Sequence, residues 1–339
     1  MNPITFRVTC LLCFCLTAVG CTSQEDNSVE MAIFNNELYD GKPVSSSSGD
    51  SPPMSEEEAI MRGDSALLRS NLDMALYEYI RSIGFPEAEH QEKTLYAIGQ
   101  IHQARKNLPL AKKAYQQSLN YDDSYINSFS QLGVIYSKQG QLTQAKSYFY
   151  KAINADLIRL NNSKVPINDT DLSVIEIAAL NIDLQSPYIS YLGLGILYDL
   201  KQKHELAQAL YQRSLDIKPD AVNTLISFGY SHYMSKKYRE AEKLTRRALK
   251  LDSDNEKAIN NMALIYLAQG MNARALNIFM QQMDEAMALN NIGYFLLLNS
   301  KPAEAVTYFQ QAIDKKPSYY KVANDNLTRA LAVMREKRK

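Results

Sequence analysis

The stretch LGVIYSKQGQLTQAKSYFYKA (132–152) decides the fold of this 339-residue chain. It predicts two short helices joined by a turn at Gly140. Gly133 is followed twelve residues later by Ala145 and sixteen residues later by Phe149. The two small residues let the helix backbones approach closely, while the aromatic ring fills the space towards a neighbouring pair. Because one helix pair cannot bury its apolar face alone, the stretch predicts a stack of similar pairs.

Seven copies of this pattern occur along the chain. An alanine follows each starting residue by twelve positions, and an aromatic residue follows by sixteen positions in every copy except the fifth, which has Thr245. The starting residues are Gly63, Gly99, Gly133, Gly195, Gly229, Ala263 and Gly293. The most frequent spacing between copies is 34 residues, and with this residue pattern it resembles the tetratricopeptide repeat. The resemblance implies an all-α fold: a right-handed superhelical solenoid of about seven repeats with a C-terminal capping helix.

The spacing between copies also predicts how the array is divided. One spacing is 62 residues, which leaves room for an inserted segment containing a short apolar helix at 172–184. This insertion is expected to cross one face of the array or to act as a hinge. The predicted layout is a block of three repeats (56–159), the insertion (160–187), a block of four repeats (188–319), and a capping helix with a basic tail (320–339).

The N-terminus resembles a bacterial lipoprotein signal. A short apolar run precedes Cys21 and is too short to span a bilayer, which needs about 20 residues. The end LTAVGC (16–21) resembles a lipobox, which implies removal of the signal peptide (1–20) and a lipid on Cys21. With Thr22 after the cysteine, the resemblance implies a periplasm-facing outer-membrane lipoprotein with no other cofactor. The alternative is an ordinary secretory signal with an incidental cysteine.

Residues 21–55 are predicted to form a flexible tether. They are rich in Ser, Asn, Asp, Glu, Gly and Pro, so few apolar groups are available to offset the entropy cost of ordering. Two apolar islands, at 31–34 and 38–39, interrupt this composition. They are expected to be incidental, with docking on a partner or on the repeats as the alternative.

Composition and motifs argue against several classes of function. Lys+Arg and Asp+Glu both number 37, so the chain lacks the basic excess that nucleic-acid binding requires. The four histidines show no metal-ligand spacing, and no nucleophile or phosphate-binding motif is present. We therefore expect no enzymatic activity and no small-molecule substrate. A periplasmic enzyme with a site among the acidic residues of the insertion (160–187) is the lower alternative.

The resemblance also implies where a partner binds. In tetratricopeptide folds the first helix of each repeat lines a groove, and an asparagine there binds the backbone of an extended peptide in many such proteins. An amide suits this role because it offers both a donor and an acceptor. The predicted groove residues are Asn261, Asn291, Asn260, Asn290, Tyr230, Tyr233, Tyr294 and Lys257. The alternative is that the asparagines only satisfy backbone groups between helices.

The combination of lipobox, tether and repeats resembles the TadD family, the tetratricopeptide lipoproteins of the tight-adherence (Flp pilus) secretion system. The most similar segments are LNNIGY (289–294), KPSYY (316–320) and ANDNL (323–327). The resemblance implies a role in localising or assembling the outer-membrane secretin, with pilus assembly proteins as further partners. A type IV pilus pilotin and a scaffold for peptidoglycan hydrolases are the alternatives.

Overall fold

The fold is given by a computed structural model that describes residues 32–33, 36–42, 51–160, 167, 173–316 and 318–336. Within these residues the chain forms sixteen helices and no strand. Backbone contacts divide the chain into two compact units, Met1–Gln117 (the first unit) and Ser118–Lys339 (the second unit). None of the described helices is both long and apolar enough to cross a membrane.

Fourteen of these helices form seven antiparallel pairs. The first four are α1 (Glu56–Leu68), α2 (Leu72–Ser82), α3 (Gln91–Ala104) and α4 (Leu108–Tyr121). The next five are α5 (Ile126–Lys138), α6 (Leu142–Arg159), α7 (Val174–Ala179), α8 (Tyr188–Leu200) and α9 (His204–Ile217). The last seven are α10 (Val222–Met234), α11 (Tyr238–Leu251), α12 (Glu256–Ala268), α13 (Asn272–Phe279), α14 (Glu285–Leu298), α15 (Pro302–Asp314) and α16 (Lys321–Glu336). All except α7 and α16 belong to a pair, which confirms the predicted array of repeats. In each repeat we call the first helix helix A and the second helix B.

The starting glycine of a repeat accommodates the aromatic ring of helix B. A Cβ atom placed on Gly99 would lie 2.4 Å from Tyr115 Cε1, and one placed on Gly63 would lie 2.6 Å from the same atom of Tyr79. Repeat 5 differs because the hydroxyl of Thr245 faces Gly229 and donates to the carbonyl of Ala241 at 2.8 Å. The twelve- and sixteen-residue offsets therefore encode the close approach of helices A and B.

A left-handed residue turns the chain between helix A and helix B in all seven repeats. Only two of these positions hold glycine, Gly140 and Gly270, both with φ +74°. The other five hold Ser70, Lys106, Gln202, Lys236 and Ser300, with φ between 58° and 62°. The predicted turn at Gly140 is present, and the same turn forms elsewhere without glycine, although a side chain disfavours this conformation.

The first helix begins after an N-cap at Ser55. The Ser55 hydroxyl accepts a hydrogen bond from the Glu58 backbone N–H at 3.3 Å, and three glutamates occupy the first turn. Glu56 has a second role that the sequence did not indicate. Its carboxylate accepts hydrogen bonds from the backbone N–H groups of Glu89 and His90, which lowers its pKa although burial acts in the opposite direction. It thereby fixes the start of α3 to α1.

The described part of the insertion packs on repeats 3 and 4, within the second unit. Its helix α7 has six residues and is shorter than the predicted 172–184 helix, because Leu180 is extended. Ile177 of α7 is fully buried in the apolar cluster that includes Leu210 of α9. Asn154 of α6 binds both the backbone N–H and the carbonyl of Ile167.

Part of the predicted tether also differs from the expectation. Leu38 is 1% exposed, and together with Ile33 it belongs to the apolar cluster of the first unit. Glu37 pairs with Lys113 at 2.6 Å, and Asp40 pairs with Arg105 at 2.6 Å. Residues 36–42 are therefore held on the repeats, because apolar burial and ion pairs together offset the entropy cost that the composition alone implied.

Several predicted features lie outside the described residues. These are the signal peptide, Cys21, most of the insertion loop, Pro317 within the KPSYY segment (316–320) and the last three residues of the basic tail. At the C-terminal end, α16 packs on α15, where the capping helix was predicted. The Nδ2 group of Asn326 on α16 donates to the Oδ1 atom of Asn290 on α14 at 3.0 Å. This helix covers the end of the last repeat.

Candidate functional site

The A helices of repeats 4, 5 and 7 carry a row of exposed apolar side chains. Residues one and five positions after the starting residue lie on the same side of a helix. In repeats 4, 5 and 7 both positions are apolar and more than a third exposed: Ile196 and Leu200, Tyr230 and Met234, Tyr294 and Leu298. Because consecutive A helices contact one another, these side chains form one surface, which we call the groove face. Exposed apolar surface of this kind marks protein interaction sites.

The tyrosines of α10 form the aromatic part of the groove face. The rings of Tyr230 and Tyr233 are stacked with centroids 5.8 Å apart, and Tyr238 of α11 lies 6.1 Å from Tyr233. Tyr230 is 42% exposed and Tyr294 on α14 is 41% exposed. Burial raises the pKa of Tyr233, so its hydroxyl is neutral at physiological pH. Rigid rings with a polar tip are suited to anchoring a protein partner.

The four predicted asparagines occupy different environments. The Nδ2 group of Asn261 donates to the backbone carbonyl of Ile226 on α10 at 3.1 Å, so this amide joins two A helices. Asn291 Nδ2 lies 3.3 Å from the sulfur of Met283. Asn290 is only 6% exposed and faces the capping helix, whereas Asn260 is exposed. The contact of Asn261 therefore agrees with the alternative interpretation, in which the asparagines satisfy backbone groups between helices.

Exposed residues extend the groove face along α12 and α14. Lys257 and Asn260 are exposed on α12, and Met287 on α14 is 44% exposed. Lys257 and Met287 precede the starting residue of their repeat by six positions, and Asn260 precedes it by three. In each helix these positions lie on the side that Tyr294 occupies in α14. Lys257 and Asn260 therefore supply polar groups beside the apolar row.

Sequence reasoning missed five apolar members of this face. They are Ile196, Leu200, Met234, Met287 and Leu298. The signal was present, because four of them stand one or five positions after a starting glycine, as Tyr230 and Tyr294 do. An apolar residue in a helix is usually assigned to the core, and only the register of the repeat shows that these positions point outwards.

A cluster of Asp, His and Ser joins repeats 4 and 5 but lacks the geometry of a catalytic triad. Asp199 accepts hydrogen bonds from the Ser231 hydroxyl at 2.8 Å and the Tyr211 hydroxyl at 2.9 Å, and His204 Nδ1 lies 2.8 Å from the same carboxylate. A triad requires the serine to bond to the histidine. Here both bond to the carboxylate, so the cluster ties α8, α9 and α10 together.

The acidic residues beside the insertion serve as ion-pair partners. Arg159 Nη2 lies 2.6 Å from Asp156 and 2.7 Å from Asp183. The hydrogen bond from Arg159 is the main cause that lowers the pKa of Asp183 to about 2. Among the described residues, no group of three or more His, Cys, Asp or Glu side chains is placed to hold a metal ion.

Comparisons with known proteins bear on the fold. The tetratricopeptide repeat family matches residues 126–157 and 188–221, and a second family with the same description matches residues 286–316. None of the curated proteins matches the chain. The matched segments coincide with repeats 3, 4 and 7.

Three solved structures are similar to this chain. PilW, described as a widely conserved type IV pilus biogenesis factor, is 14% identical with a TM-score of 0.50, covering 69% of this chain and 97% of PilW. A tetratricopeptide repeat protein from Parabacteroides merdae is 17% identical with a TM-score of 0.49, covering 82% of this chain and 100% of that one. For pilF from Pseudomonas aeruginosa the identity is 15% and the TM-score 0.48, covering 72% and 97%.

At 14% identity the likeness to PilW supports the fold and nothing beyond it. The family matches and the seven helix pairs agree with each other, since both place helix-turn-helix repeats in the same residues. The chain therefore folds as an array of tetratricopeptide helix-turn-helix repeats.

Proposed function

We propose that this protein is a non-enzymatic scaffold that captures a partner protein on the groove face of repeats 4 to 7. The observation that carries the proposal is the row of exposed apolar side chains on the A helices of repeats 4, 5 and 7. Burying this surface against a partner is favourable by about 25 cal/mol for each Å² removed from water. Tyr230 and Tyr294 are the central anchors, since large side chains with a polar tip provide most binding energy at interfaces.

We place this scaffold in the assembly of the outer-membrane secretin of a tight-adherence (Flp pilus) system. Support comes from the resemblance of LTAVGC (16–21) to a lipobox and from the similarity of the segments at 289–294, 316–320 and 323–327 to the TadD family. The lipid on Cys21 anchors the protein to the periplasmic side of the outer membrane. The partner is the secretin or another pilus assembly protein.

Docking of residues 36–42 on the repeats brings the first unit close to this anchor. The chain between Cys21 and Ile33 has twelve peptide links, which span at most about 43 Å when fully extended. The predicted tether (21–55) would allow a much longer reach. The docked segment therefore restricts the distance at which the scaffold meets a partner that is embedded in the same membrane.

The test is the amount of assembled secretin in the outer membrane. Deleting the gene for this protein should reduce the detergent-resistant secretin multimers, and the full-length chain should restore them. A Cys21→Ser variant should leave the outer-membrane fraction and fail to restore them. Normal secretin multimers in the deletion strain would overturn the proposed setting, and membrane retention of Cys21→Ser would overturn the lipid anchor.

A further inference from the structure

Between repeats 1 and 2, the groove on the helix B side is filled by a segment of the chain itself. Leu38 and Ile33 are buried in one apolar cluster with Ile80 of α2. The backbone carbonyl of Leu38 lies 2.9 Å from His102 Nε2 of α3. Gln117 of α4 donates to the carboxylate of Glu37. The occupant is thus a short segment in which acidic residues flank an apolar anchor.

Between repeats 3 and 4 the described part of the insertion occupies the equivalent groove. The side chain of Arg213 donates to the backbone carbonyl of Leu180. Arg213 follows its starting glycine by eighteen positions, as Gln117 does in repeat 2. Asn154 holds Ile167 by two hydrogen bonds of 2.9 and 3.0 Å. In both grooves the residue at the eighteenth position donates to a segment that lies outside the repeats.

The corresponding groove between repeats 5 and 6 is open. It has a volume of about 580 Å³, and its wall includes Gln281, which again follows the starting residue by eighteen positions. Tyr266 occupies the repeat position that His102 has in repeat 2. Arg246 occupies the repeat position that Ile80 has in repeat 1. The site is therefore the third member of a series in which the other two members are filled by the chain itself.

The chemistry of this groove is basic around an apolar floor. The floor is formed by Leu249, Met262 and Ile278. Four exposed cations of α11 lie along one wall: Lys243, Arg246, Arg247 and Lys250. Glu242 neutralises only Arg246, and within the described part of the chain no ion pair joins the other three to a carboxylate. The wall therefore carries an excess of positive charge beside a surface that favours apolar burial.

We propose that this groove binds an extended acidic segment of a partner protein, in which carboxylates flank an aliphatic or aromatic anchor. Charge complementarity selects the carboxylates, and the open floor accepts the anchor as the floor between repeats 1 and 2 accepts Leu38. The cations lie on helix B of repeat 5, whereas Lys113 and Arg105, which hold the segment in the first unit, belong to repeat 2. The partner segment therefore pairs with the opposite wall. This site is separate from the groove face and would give the scaffold a second point of attachment.

The test uses a labelled peptide with the sequence IFNNELYDGK, which is that of residues 33–42, added to the full-length chain at low ionic strength. Fluorescence anisotropy should show saturable binding. A Lys243→Glu/Lys250→Glu variant should bind at least about tenfold more weakly, as should a peptide with both acids changed to amides. A matched Arg239→Glu/Lys301→Glu variant, which reverses two charges outside the groove, should bind like the wild type. Thermal unfolding should be unchanged in both variants because all four side chains are exposed.

Three results would overturn the proposal. The first is a failure of the peptide to bind, or binding that the Lys243→Glu/Lys250→Glu variant leaves unchanged. Unchanged binding would mean that the peptide replaces residues 33–42 in the groove between repeats 1 and 2. The second is a concentration-dependent dimer that this variant abolishes in sedimentation velocity, which would make a second copy the occupant. The third is flotation with phosphatidylglycerol vesicles that the same variant abolishes while peptide binding persists, which would assign the cations to a lipid surface.

Discussion

The ring of Phe149 lies directly against the backbone of Gly193. A Cβ atom placed on Gly193 would be 2.3 Å from Phe149 Cζ, closer than any real carbon contact. Phe149 belongs to helix B of repeat 3, and Gly193 stands on helix A of repeat 4. The glycine therefore sets how closely repeat 4 packs on repeat 3.

Gly193→Ala should destabilise the second unit by about 1–3 kcal/mol, because the ring is fully enclosed and must leave its preferred position. Chemical denaturation followed by circular dichroism measures the effect. The double variant with Phe149→Leu is the control, since a smaller side chain removes the clash. If Gly193→Ala costs as much in the Phe149→Leu background as in the wild type, the ring is not the cause.

The turns between helices A and B allow the cost of a left-handed side chain to be tested, by placing glycine in a turn that has lysine and lysine in a turn that has glycine. Lys236 in repeat 5 has φ 59°, and Gly140 in repeat 3 has φ 74° with open space where a Cβ atom would stand. Lys236→Gly should stabilise the second unit by about 0.5–1 kcal/mol because it removes the cost of a left-handed side chain, and Gly140→Lys should destabilise it by a similar amount. Denaturation midpoints measure both. A shift of the same sign in the two variants would exclude the backbone as the cause.

The repeat register could be predicted from the sequence because it depends on local residue size. A small residue on helix A is needed where helices A and B touch, so the offsets that start from six glycines and from Ala263 mark every pair. The same register holds in repeat 5 without an aromatic residue, since Thr245 satisfies its hydroxyl on its own helix.

Docking of the polar N-terminal segment could be stated from the sequence only as an alternative, because its partners are distant in sequence. Leu38 and His102 are separated by 64 residues, and Glu37 by 76 from Lys113. Composition reports only the entropy cost of ordering 36–42, whereas the compensating contacts exist only after the repeats have folded. The environments of the asparagines could not be predicted for the same reason, because Asn261 contacts Ile226 only when two repeats stack.

The docked segment should loosen in acid through His102. This histidine is fully buried, and burial lowers its pKa below 6.5, with a smaller contribution of the same sign from Arg105 and opposing ones from Asp40 and the Leu38 carbonyl. Below pH 6.5 the unfolded state therefore binds more protons than the folded state, and the free energy of unfolding of the first unit should fall as pH falls.

Limited proteolysis at pH 7.5 and pH 5.5 measures this effect at residues 36–42. Cleavage there should be faster at the lower pH in the wild type, and His102→Gln, which keeps a donor for the Leu38 carbonyl without a titrating group, should remove the difference. Leu38→Ala should give fast cleavage at both values because the buried anchor is lost. Equal pH dependence in His102→Gln and the wild type would show that another group is responsible.

The groove face should lose its partner when its two exposed tyrosines are removed. Tyr230→Ser combined with Tyr294→Ser deletes two anchors from α10 and α14, and each central aromatic anchor at an interface contributes about 2 kcal/mol or more. We expect recovery of the partner from detergent-solubilised outer membranes to fall at least about tenfold, as quantified by mass spectrometry against the wild type. The thermal midpoint should change little, because both side chains are about two-fifths exposed.

Tyr319→Ser is the matched control, since Tyr319 is 77% exposed and lies outside the A helices of the repeats. Undiminished capture by the double variant would mean that the exposed row on the A helices is not the binding surface.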